Sequence, residues 1–172
     1  SRADNNLEQN LYFESMREVR VRAMSCKNEF STLLAAKFVA LGKTATKKDD
    51  HRDDNAAGLS LVKDDDVELD VAINSMTSRA RVAAKQPLYE FHQRIESLFP
   101  EHIEDEHNPL DPGALIDCFA KAAKPMELAI KARIILLKQF ERFVQNRLAE
   151  IYINANKLLE SLGVKFIDDR KH

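Results

Sequence analysis

Tryptophan is absent from the sequence, and only four glycines and five prolines are spread over its 172 residues. So few turn-formers exclude a sandwich or barrel of many short strands, which needs a turn roughly every 8–12 residues. The two cysteines, Cys26 and Cys118, exclude a disulfide framework and a cysteine-rich metal site, and are expected as reduced, buried thiols. No apolar run approaches the roughly 20 residues that span a bilayer, and no secretory signal opens the chain. A cytoplasmic protein with no membrane partner is therefore expected. Excess charge is missing too: 26 basic side chains face 28 acidic ones, a net −2, which supplies no overall pull toward nucleic acid or anionic lipid.

What is present is helical periodicity. Hydrophobic residues make up 44% of the chain, enough to build a folded core. Tyr12, Met16, Val19, Ala23, Cys26, Phe30, Leu33, Lys37 and Leu41 recur at steps of three and four, which predicts a first long helix closing at Gly42. The pattern runs straight through Gln9–Met16, a stretch that looks like a protease-cleavable tag with its Glu and Gln exchanged, and marks it as native sequence. Residues 1–42 thus form an N-terminal helix, and the polar residues 43–58 a flexible linker. Residues 59–172 complete a helical core that forms one domain with helix one.

In that core, Asp65 and Glu68 offer a cap and a capping-box partner for helix two. Its stripe runs through Leu69, Ile73, Met76, Ala80, Ala84, Leu88, Phe91, Ile95 and Leu98, with Pro87 expected to kink or restart the helix. Asp111-Pro112 opens a short third helix that ends near Lys124, before Pro125. A fourth helix carries Ile130, Ile134, Leu137, Phe140, Val144, Leu148, Ile151, Ala155, Leu158 and Leu162, and would be roughly 55 Å long. The expectation is an all-α antiparallel bundle of three long helices and one short helix, completed by dimerisation.

Chemistry-bearing patterns are sparse. His92, His102 and His107, with Glu104, are the best candidates for a metal, but His102 and His107 lie five apart in a loop after a proline rather than four apart on one helix face. Asp49, Asp50, Asp53 and Asp54 lack the alternation, central glycine and final glutamate of a calcium loop. Asp64, Asp65 and Asp66 suit a helix N-terminus, where the macrodipole favours negative charge. Neither cysteine has a histidine beside it, so no catalytic residue and no cofactor site is assigned. Arg17, Arg20 and Arg22, and Lys131, Lys138 and Arg142, are interleaved with Glu14, Glu18 and Glu141, a solvated pattern in which direct nucleic-acid binding is not expected.

Several short blocks occur in a recognisable order: Tyr12–Arg20, Gly58–Val62, Asn108-Pro109-Leu110, Leu137–Arg142, Asn156–Leu159 and Gly163-Val164. Together they resemble a bacterial domain-of-unknown-function family, number 1631. The resemblance implies a piece of a longer bacterial protein. It also brings in two associations, because some members are joined to a PilZ domain that binds cyclic di-GMP and some carry the name thymidine phosphorylase. The residues lend the second no support: Gly42, Gly58, Gly113 and Gly163 are scattered rather than gathered into a phosphate cradle. Asp53–Gly58 loosely matches a PilZ motif but lacks the paired arginines, so cyclic di-GMP would act through another domain.

The reading is a helical protein-interaction or regulatory module, not an enzyme, with a protein partner or a homodimer as its expected assembly. Tyr12, Val19, Phe30, Phe91, Phe140, Val144, Ile151 and Leu158 are expected in its core or interface. Two alternatives are a metal protein or enzyme built on His92, His102 and His107, and a nucleic-acid-binding helical module.

Overall fold

The computed structural model describes residues 2–44, 64–168 and 170. The expected linker 43–58, the Asp49–Asp54 cluster and the PilZ-like stretch fall almost wholly outside the described residues. Those residues are all-α, with no strand among them. Helix α1 spans Arg2–Thr44, α2 Asp64–Ala83, α3 Lys85–Glu96, α4 Pro112–Ala123, α5 Ile130–Phe143 and α6 Leu148–Ser161, with single 3-10 turns at Asp105–His107, Lys124–Met126 and Gln145–Arg147.

At 43 residues α1 is about 65 Å long. The expected stop at Gly42 is not where the helix ends: the α-helix continues to Thr44, and Gly42 does not take the left-handed conformation that would break it. Gly163, by contrast, has φ 88° and closes α6 as expected. α1 docks through its second half. Leu41 enters the main core, Phe30 meets Phe140 edge-on at 6.2 Å, and Lys37 reaches Asp117 on α4 at 3.2 Å.

The expected interruption near Pro87 is present as the boundary between α2 and α3. Ala84 leaves helical geometry at φ −110°, ψ 20°. Pro87 has no N–H for the carbonyl of Ala83, four residues back, and its ring crowds that carbonyl. The apolar stripe nonetheless stays in phase, because Ala84 still bonds back to Ala80 and Leu88 to Ala84, each at 3.0 Å. Met76, Ala80, Ala84, Phe91 and Ile95 are all buried.

α4 begins as its sequence predicts. The Asp111 side chain caps it, accepting the Gly113 N–H at 2.8 Å, and Pro112 occupies the first turn. A side chain at Gly113 would meet the capping oxygen at 3.0 Å, so this glycine permits a close approach.

The expected fourth helix of about 55 Å is a correction. It is two helices, broken at Val144 (φ −115°, ψ −62°), with Arg147 bonding back three residues to Val144. The break contains no proline or glycine. It arises from packing: Gln145 is buried and donates from Nε2 to the carbonyl of Pro112 at 3.4 Å, while Leu148 is fully buried. Past the break α6 lies on α3, with Tyr152 stacked on Phe91 at 6.0 Å. Its buried edge passes through Leu148, Tyr152 and Asn156, leaving Ile151 and Leu158 on the exposed side. Phe30, Phe91, Phe140 and Val144 belong to the core or pack against it.

Candidate functional site

The predicted histidines meet along a polar cleft of about 300 Å³, where α3 faces the segment 102–111. His92, buried on α3, donates from Nε2 to the carbonyl of Ile103 at 2.8 Å. Asn108 turns its Oδ1 to the N–H of Leu110 at 3.0 Å, which aims its Nδ2 at His92 Nδ1, 3.3 Å away. Both ring nitrogens are therefore committed, in the tautomer that carries its proton on Nε2. Glu96 places Oε1 3.1 Å from Nδ1 of exposed His102 and its enclosed Oε2 3.3 Å from Nε2 of His92. Hydrogen bonding to Glu96 pushes the His102 imidazole above its ordinary value. At the cleft's far side Arg81 grips Asp111 with two hydrogen bonds, of 2.7 and 3.2 Å.

This geometry joins helices more than it prepares chemistry. His92 is bound on both nitrogens, His102 and Glu104 are 3.8 Å apart at the surface, and His107 lies exposed in the 3-10 turn rather than lining the cleft. Among the described residues no group of three His, Cys, Asp or Glu side chains is placed to hold a metal ion. Cys26 and Cys118 are both buried and free, and burial pushes both thiols up, away from the reactive thiolate.

A second concavity has the opposite character. The N-terminal half of α1 and the face of α5 form the two walls of an apolar groove of about 580 Å³. Leu11, Tyr12, Met16 and Val19 form one wall; Leu128, Ala132, Ile135, Leu136 and Phe143 form the other. Both walls repeat at steps of three and four, as the facing stripes of two helices must. Val19 and Leu136 carry the groove on into a second apolar hollow of about 330 Å³, which reaches Cys26, Phe30 and Phe140. Tyr12 is 51% exposed and Phe143 57%.

The family model described as "Protein of unknown function (DUF1631) N-terminal domain" matches residues 1–163, the suspect stretch Gln9–Met16 included. The chain belongs to the DUF1631 family. No curated protein and no solved structure matches it. Within this DUF1631 domain the expected interface residues divide. Tyr12 and Val19 line the groove, Phe30, Phe140 and Val144 line its extension, Phe91 is core, and Ile151 and Leu158 lie exposed on α6, away from both hollows.

The polar residues that organise the DUF1631 domain escaped sequence reasoning. Arg94 is 7% exposed and donates to Asn156 Oδ1 at 3.0 Å and to the carbonyl of Val164 at 3.2 Å. Asn156 in turn donates to the carbonyl of Pro87 at 3.0 Å. The available signal was one of position, since Arg94 adjoins the apolar stripe at Ile95 and Asn156 adjoins it at Ala155. No helix among the described residues is long and apolar enough to cross a membrane.

Proposed function

We propose that this DUF1631 domain is a helical protein-interaction module rather than an enzyme, and that it binds through the groove between α1 and α5. One observation carries the reading: a continuous apolar groove, walled by two helices, that the chain's own described residues leave unfilled. Exposed apolar surface in a continuous patch marks contact sites on soluble domains, and a helical groove suits an amphipathic helix. The polar cleft supports no comparable reading, because His92 and Arg81 are spent on bonds within the fold. In the regulatory form of the proposal, cyclic di-GMP acts at another domain of a longer bacterial protein and this domain carries the protein contact. Support for that form comes from the resemblance to PilZ-joined members.

The test is site-specific photo-crosslinking in the cells that make the protein. A photoreactive phenylalanine analogue at Leu11 or Phe143 is expected to crosslink to polypeptide, while one at exposed Lys157 on α6 is not. Equal yields at all three positions would remove the groove from the account.

A further inference from the structure

We infer that the occupant of the groove is helix α1 of a second copy of this chain, so that two copies close into a four-helix seam; this rests on the interaction-module reading above. Residues 2–14 of α1 are exposed throughout, including Leu7, Leu11, Tyr12 and Phe13. Among the described residues this half of α1 faces Leu128 and α5 across the groove, along a gap rather than a close-packed contact. A helix carrying such residues lowers its free energy by finding a third and a fourth helix. The groove's lining on α1, from Glu8 to Val19, is about three turns long, which sets the length of helix that would fill it.

The α1 face is complementary to itself. In an antiparallel pairing about a two-fold axis at Ser15, residues whose numbers are equally distant from 15 meet. Leu11 then faces Val19 of the second copy, and Glu8 faces its Arg22. Each pairing occurs twice, as an isologous contact requires. Both charges lie on the correct face, because Glu8 lines the groove and Arg22 follows Val19 by three residues. Arg22 already bonds its own Glu18 at 2.7 Å, so it would lie between two carboxylates. The small Ser15 at the crossing point lets the two helix backbones approach.

The register is tested by charge exchange, read by sedimentation equilibrium. Glu8→Arg and Arg22→Glu are each expected to weaken self-association on the order of tenfold, and the double variant to restore it. Ser15→Cys with a mild oxidant is expected to give a disulfide-linked dimer, since the native thiols are buried. A chain that stays monomeric to high micromolar concentration, or a dimer indifferent to all these changes, would overturn the second-copy inference. Photo-crosslinks from Leu11 to a different polypeptide would also overturn it while leaving the interaction module standing. No groove crosslink at all would remove both.

Discussion

Tyr152 shows how one residue fixes a packing arrangement. Its ring is fully buried against Phe91, and its hydroxyl donates to the carbonyl of Leu110, tying α6 to the turn before α4. Burial drives its phenol upward, beyond the ordinary titration range. Of the three tyrosines, Tyr152 should therefore ionise only as the chain unfolds, which ultraviolet absorbance during an alkaline titration will report. Tyr152→Phe leaves the Leu110 carbonyl unpaired and should cost about 1–2 kcal/mol in denaturant unfolding. His102 provides a pH signature of the opposite kind. Its bond to Glu96 raises its value in the folded state, so the stabilisation is fully present below the unfolded value of about 6.5 and is lost as pH rises through the folded value. His102→Gln should thus be less stable than the parent at pH 5.5 and match it at pH 8.5. Persistence of the gap at pH 8.5 would mean that His102 acts through packing instead.

Among the helices, the legible features were those written in local chemistry. The Asp111-Pro112 start of α4, the interruption near Pro87 and the Gly163 terminus each follow from a residue's own geometry and appear in the structure. The break at Val144 was not legible, because Ile130–Leu162 is periodic and free of breakers; the turn exists to seat Gln145 and Leu148 against other helices. For the same reason Tyr152 was missed and Ile151 preferred, since both fit a helical stripe and only contact with α3 separates them. The groove was half legible: Tyr12 and Val19 were singled out, but its other wall, at Ile135 and Phe143, depends on how α5 sits beside α1. The Arg94 network joins α3, α6 and the C-terminal segment. Arg94→Met should release residues 164–168 and speed tryptic cleavage at Lys165 several-fold, with the helical signal retained. The attachment of α1 to α4 carries its own pH dependence. Burial pushes Asp117 up, but hydrogen bonds from Lys121 and Lys37 outweigh it and hold the carboxyl below its ordinary value. That contribution is present above an unfolded value of about 3.9 and is lost as pH falls through the folded one. Asp117→Asn should therefore loosen α1 at pH 7 and change little at pH 2.5, as followed by amide exchange in residues 30–41.

At the scale of the whole molecule, the six α-helices of the described residues divide the work. α2 to α6 and the second half of α1 enclose the core, while the first half of α1 stands beside α5 with its apolar face left uncovered by the described residues. A fold that invests its buried polar groups in internal ties, and leaves an apolar groove between α1 and α5, matches the proposed reading of a site that holds another helix. The most direct test is the solution mass, by light scattering over a concentration series, of the parent chain and of Ile135→Lys, which places a charge on the α5 wall at a half-exposed position where folding is not at stake. The account predicts a parent mass rising to twice 19.6 kDa and a variant held at 19.6 kDa. Identical masses for the two proteins at every concentration would contradict it.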